Sequence, residues 1–217
     1  MAIDAMLKCM IPAVFLALAG CAATTAVAPP PIVEAVVKQA GWEGVASNAD
    51  LDRLARVRPA WDAALAEAKR RGFAKAIAAE GALLDPAIAL PRAAPPPGSY
   101  HCRVIKLGAR IKSEPAFAAF KPFFCYVEAE GELLTIVKQT GSQRPAGRLY
   151  PDTDERLVFL GTLALGDEEA PLAYSTDPRR DMAGVVQRVA PFRWRLVIPW
   201  PQSSSTLDVF ELVPAAQ

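Results

Sequence analysis

The sequence predicts a mainly β protein of the α+β type: a small antiparallel β-barrel or sandwich preceded by a short helical segment. Three observations carry that expectation. From Gly98 onward, apolar residues recur with a period of two in short runs separated by turn residues. Upstream, between Ser47 and Glu80, they recur with a helical period. Between the two lies a stretch holding Pro86, Pro91, Pro95, Pro96 and Pro97, a density that neither a helix nor a central strand survives.

The 217 residues are 52% hydrophobic, enough for one core of moderate size and too apolar for general disorder. Basic and acidic residues nearly cancel, 24 against 23, for a net charge of +1. That balance gives no reason to expect a nucleic acid as partner.

The N-terminus reads as an export signal. Lys8 precedes an apolar run from Met10 to Leu18, followed by Ala19-Gly20-Cys21. The run is shorter than the roughly 20 apolar residues that a membrane-spanning helix needs. Leu18-Ala19-Gly20-Cys21 matches a bacterial lipobox, which predicts a signal peptide over 1–20 and a lipid on Cys21. Met6 is an alternative start, because Asp4 is unusual in the basic region of a signal. The other reading is an ordinary cleaved signal that happens to precede a cysteine. Residue 22 is alanine; an aspartate there is the familiar inner-membrane retention signal, so the expected address is the outer membrane, facing the periplasm. Residues 21–31 end in three prolines and suit a lipidated tether. The remaining expected organisation is a helical segment over 32–85, a proline-rich linker over 86–97 and a barrel over 98–217.

Cysteine usage follows from that address. Cys9 leaves with the signal and Cys21 takes the lipid, so Cys102 and Cys125 remain as an even pair in an oxidising compartment. A disulfide between them would contribute on the order of 3 kcal/mol by restricting the unfolded chain. The alternative, a reactive thiol, lacks a Cys-x-x-Cys motif, and His101 would point to the opposite face from Cys102.

In chain order, Ser47 or Asn48 can cap a helix, with Asp50 and Asp52 in its first turn. Leu51, Leu54, Trp61 and Leu65 fall close to one face. Pro59 kinks that helix or begins a second one, and Arg70-Arg71-Gly72 reads as a C-terminus. A further helical piece is expected over Phe73–Glu80. The expected strands are Ser99–Lys106, Phe123–Glu128, Glu132–Gln139, Gly147–Tyr150, Arg156–Leu165, Pro171–Tyr174, Gly184–Val189, Phe192–Ile198 and Thr206–Leu212. Meander-like spacing favours a barrel over a sandwich.

Signatures of catalysis are few. The chain has no glycine-rich phosphate loop, no Gly-x-Ser-x-Gly elbow and no zinc signature, so no cofactor and no metal is expected. A single histidine cannot build a multi-histidine metal site. Polar side chains concentrate in Lys138, Gln139, Ser142, Gln143 and Arg144, and again at Asp152 and Arg156. With His101 these are candidates for loops around a ligand mouth. They can equally be solvated turns, with Asp152 and Arg156 forming an ion pair of little energetic weight. Trp200, between two prolines, reads either as an interaction anchor or as a lid on the core.

Several segments resemble a known family. Tyr100-His101-Cys102-Arg103 with Leu107-Gly108, Phe124-Cys125-Tyr126, Lys138 through Arg144, Leu149-Tyr150-Pro151-Asp152 with Phe159-Leu160-Gly161, and Trp194-Arg195-Leu196 look like the bacterial family named domain of unknown function 4893. The resemblance runs from about Trp42 to the C-terminus. It implies an exported bacterial protein and brings no activity or functional residue. The export signal, disulfide and small barrel are also similar to bacterial metalloprotease inhibitors. Those use a free N-terminal arm, however, where this chain would be acylated and then helical. The expected function is therefore that of an envelope lipoprotein acting as a non-enzymatic binding or structural module. Its partners would be the membrane, through the lipid, and an envelope protein or a small ligand. The alternatives are a periplasmic hydrolase or transferase using Asp152, Arg144 or His101, and a periplasmic protease inhibitor. A filled barrel and a hollow one share the same alternation, so the sequence leaves the interior open.

Overall fold

The computed structural model describes residues 41–166 and 168–215. The expected signal peptide, lipidated Cys21, the tether and residues 32–40 lie outside the described residues.

The helical part comprises α1 (Trp42–Val45), α2 (Asn48–Ala55), α3 (Val57–Arg70), α4 (Ala74–Ala79) and a 3-10 turn over Gly81–Leu84. Ser47 caps α2, its hydroxyl accepting from the Asp50 amide at 3.2 Å. Pro59 sits in the first turn of α3, where its missing N–H costs nothing. The buried face of α3 is Ala60, Trp61, Ala64 and Ala68, while Leu65 is only partly buried. Three alanines on that face let the helix lie close on β1: a Cβ placed on Gly108 would stand 3.2 Å from the Ala64 Cα.

The strands are β1 (Gly98–Ala109), β2 (Phe117–Ala119), β3 (Phe123–Glu130), β4 (Leu133–Lys138), β5 (Gln143–Thr153), β6 (Arg156–Leu165), β7 (Asp181–Ala190), β8 (Arg193–Pro199) and β9 (Ser205–Pro214). Each pairs antiparallel with its neighbour in sequence from β3 to β9, and β9 pairs back onto β1. The result is a closed barrel of eight strands, with short β2 extending the edge that β1 shares with β3. Expectation and structure differ most in three places. Pro171–Tyr174 is no strand but part of the long β6–β7 loop. Phe117–Ala119, flanked by Pro115 and Pro122, pairs with Ile105–Leu107 and was not anticipated. Strand β5 is much longer than Gly147–Tyr150, because Pro145 and Pro151 lie beyond its pairing with β4 and need no amide on that side.

Two apolar layers result. Inside the barrel, the alternation of β1 points Tyr100 and Cys102 inward against Cys125, Val127, Leu149, Phe159, Trp194 and Leu212. Gly147 and Gly161 face each other on adjacent strands, where a Cβ on Gly147 would come within 2.7 Å of the Phe159 ring, so that ring takes the space. Cys102 and Cys125 are linked by a disulfide with Cα atoms 6.0 Å apart, inside the barrel and diagonal across the β1–β3 pair. Outside, Ile105, Leu107, Val185, Val197, Leu207 and Val209 pack under the helices.

Arg195 joins these layers. It points outward from β8 yet is fully buried beneath the helical segment. Its guanidinium donates to the carbonyls of Leu83 (3.1 Å), Asp85 (2.7 Å) and Ile88 (2.8 Å) and to Gln187 Oε1 (2.9 and 3.0 Å). The Trp61 ring lies 5.0 Å away. Burial pushes its pKa down to about 10, which still leaves it charged at neutral pH. Arg195→Met would leave those carbonyls buried without donors, and stripping one side of a buried charged network costs about 3–5 kcal/mol. Urea unfolding is expected to show that loss; a change below about 1 kcal/mol would contradict the role given to this side chain.

Candidate functional site

The two ends of the barrel differ. At one end the proline-rich segment forms a plug. Tyr100 donates its hydroxyl to the Pro96 carbonyl (2.5 Å) and meets Trp194 edge-on at 6.2 Å. The amides of Arg92 and Ala93 bond to Asp154 in the β5–β6 hairpin (3.2 and 3.0 Å), and Arg188 Nε donates to the Pro91 carbonyl (2.9 Å). Buried Tyr100, Leu149, Leu157, Phe159 and Trp194 fill this half of the interior.

The other end is hollow. A cavity of about 200 Å³ opens where β1, β4 and β8 end and β5, β7 and β9 begin. Its apolar wall includes Val104, Pro145, Leu163, Met182, Ile198 and Phe210; its polar lining is Lys106, Lys138, Gln143 and Asp208 from the strands, with Arg53, Arg179, Arg180, Asp181, Gln202 and Ser203 completing it. The Cys102–Cys125 bridge, with Leu196 and Leu212, lies one inward layer below and forms the floor. An engineered apolar cavity of about 150 Å³ admits benzene, so this space suits a one-ring molecule.

The charges inside are unequal. Asp208 is 5% exposed, accepts from Ser205 Oγ at 2.5 Å and faces Lys106 Nζ at 3.5 Å. Burial holds its carboxyl above the ordinary value of 3.8, with Lys106 and the Ser205 hydrogen bond opposing. Lys138 Nζ donates to the Gln143 carbonyl (2.8 Å) and sits 4.4 Å from the centre of the Phe123 ring. Among the described residues no carboxylate forms an ion pair with Lys138. Burial lowers its pKa, and nearby Arg144 and Lys106 lower it further. Arg144 itself donates to three carbonyls, those of Gly141 (3.1 Å), Gly166 and Glu168 (both 2.5 Å).

The rim is fastened to the helices. Tyr174, in the β6–β7 loop, donates to buried Asp50 Oδ2 at 2.5 Å and accepts from the Ser47 amide at 3.0 Å. Burial, with Asp50, pushes the tyrosine pKa up to about 12. Asp50 also pairs with Arg53, whose Nη1 reaches the Asp181 carbonyl at 3.3 Å. Gln202, from the β8–β9 loop, donates across the mouth to the carbonyls of Pro178 and Asp181 (2.5 and 3.2 Å). Trp200 is half-buried under Arg56, 5.2 Å from its ring centre, and donates to the Arg56 carbonyl at 3.4 Å.

Of the residues singled out in the sequence, Lys138 and Gln143 meet in the cavity. Gln139 and Ser142 lie on the adjoining β4–β5 turn, and Arg144 is on β5 next to it. His101 is elsewhere, exposed on the outer face with its ring 4.9 Å from Phe124. Asp152 and Arg156 pair at the plugged end, where Asp152 also accepts from Trp42 Nε1 at 3.0 Å and holds α1. Lys106, Asp208 and Phe210 were not anticipated. For Lys106 and Asp208 the one signal was a charge within an apolar strand; Phe210 carried none.

The buried Asp208 carboxyl gives a pH signature. A folded-state pKa above the unfolded one means the folded state binds the proton more tightly, so stability falls as pH rises above 3.8. Asp208→Asn keeps the size and removes the titration. The stability of the native protein relative to this variant is expected to decline from pH 4 to pH 7 in urea unfolding; a flat or rising difference would contradict the burial.

Residues 42–212 match the model of a family described as Domain of unknown function (DUF4893). No curated protein and no solved structure matches the chain. The match spans the helices, the plug and the barrel strands as far as Leu212 in β9, and the chain belongs to this family.

Proposed function

We propose that this protein is a bacterial envelope lipoprotein, anchored through lipid on Cys21 at the outer membrane and facing the periplasm, whose barrel is a non-enzymatic module for a small ligand. The observation that carries the binding part is the cavity of about 200 Å³ at the unplugged end. Protein interiors close-pack, and the plugged half of this barrel does so. A preformed hollow with an apolar wall and a few convergent polar groups is the usual form of a small-molecule site. The residues considered for hydrolysis are dispersed: Arg144 and Asp152 are eight positions apart on β5, which is roughly 27 Å of strand. His101 faces outward on another strand. The anchor rests on the lipobox and on the tether that follows it, since each buried acyl methylene contributes about 0.8 kcal/mol.

Two outcomes follow. Cys21→Ser is expected to move the protein from the membrane to the soluble fraction, and retention in membranes would overturn lipidation. Val104→Phe, which puts a ring into the cavity, is expected to keep stability within about 1 kcal/mol of the native protein while abolishing uptake of one-ring probes in calorimetry. Unchanged uptake would remove the cavity as the site.

A further inference from the structure

We infer that the mouth cavity takes a small organic monoanion, a carboxylate carried on one ring or a short branched chain. Its charge would lie against the Lys138 ammonium and its apolar part between Val104, Leu163, Ile198 and Phe210. This rests on the cavity reading above and adds the chemical class of the occupant.

The charge count comes first. The lining carries five cations, Arg53, Lys106, Lys138, Arg179 and Arg180, against two carboxylates, Asp181 and Asp208. Asp181 accepts from the Ser175 amide at 3.0 Å. Asp208 is committed, held by Ser205 and facing Lys106. Lys138 is satisfied by one carbonyl and one ring face, while its charged neighbours Arg144 and Lys106 are cations. An ammonium has three donors, so one remains for an acceptor in the cavity. A desolvated cation without a counter-charge is costly, and a bound anion removes that cost.

The wall completes the fit. Gln143 lines the cavity beside Lys138 and supplies an amide for the second oxygen of a planar carboxylate. The volume exceeds that of a benzene-holding cavity by about the size of a carboxyl group, too little for a nucleotide or a long acyl chain. Arg179 and Arg180 stand at the entrance, with Asp177 and Glu168 as partners, and Arg179 is largely exposed. Exposed pairing of that kind leaves much of a positive field to draw an anion inward.

Three probes of matched shape test this: benzoate, benzyl alcohol and benzylammonium, titrated calorimetrically into the full chain carrying Cys21→Ser. Benzoate is expected to bind at least about tenfold more tightly than benzyl alcohol, and benzylammonium weakest. Lys138→Met is expected to bring benzoate to the level of the alcohol while leaving the alcohol within about twofold. Should Lys138→Met fail to fold, Lys138→Gln keeps a donor for the Gln143 carbonyl and is read the same way. Equal binding of benzoate and benzyl alcohol to the native cavity would overturn the anion assignment and leave the cavity reading standing. Binding of none of the three would overturn the cavity reading itself.

Discussion

Arg195 is the constraint on which the rest of the structure depends. A charged guanidinium at 0% exposure is tolerable only if nearly all of its donors are satisfied. Here the acceptors are carbonyls from the turn after α4 and from the chain leading into the proline-rich segment, plus Gln187 on the neighbouring strand. One side chain on β8 thereby fixes where the helical segment ends and where the plug begins. The Trp61 ring against the same guanidinium extends the fixation to α3. The helices are thus wedded to the barrel by directional bonds as well as by the apolar layer beneath them.

From that fixation follows the asymmetry of the barrel. The chain leaving Arg195's acceptors runs straight into Pro91–Pro97, which seals one end through Asp154, Arg188 and Tyr100. The same helical layer reaches the opposite end through α2, where Asp50 and Arg53 hold the β6–β7 loop at the rim. One end is filled and braced, the other braced but left hollow. The disulfide floors that hollow, and lysines at inward positions of β1 and β4 make its lining net positive. A rigid, preformed concavity loses little conformational freedom on binding, which suits a module that holds a ligand.

Much of this architecture was legible in the residues. Period-two runs from Gly98, the helix cap at Ser47, the glycine stop after Arg71 and the pairing of Cys102 with Cys125 all express local rules that tertiary packing did not override. The site was less legible, for a physical reason. In a barrel with one wet face, Lys106 and Asp208 would be assigned outward by their charge. Here the helices cover the outer face of β1, β8 and β9, so Ile105, Leu107 and Val209 outside are as apolar as Tyr100 and Leu212 inside. Alternation then no longer says which phase faces in. Strand β5 runs past the expected Gly147–Tyr150 on both sides, through Pro145 and Pro151, which occupy positions with a neighbour on one side only. Lys138 and Gln143 stood out as polar density, but nothing local distinguished them from Asp152 and Arg156 at the far end of the same hairpin system.

The seat of a ligand at the mouth, above the disulfide and away from the plug, is tested most directly by methyl NMR during a benzoate titration. Saturable shifts are expected at Val104, Leu163, Met182 and Ile198, with Val127, Leu149 and Leu157 at the filled end unmoved. Shifts at the filled end or on the outer face alone, with the mouth methyls silent, would contradict a binding site inside the barrel.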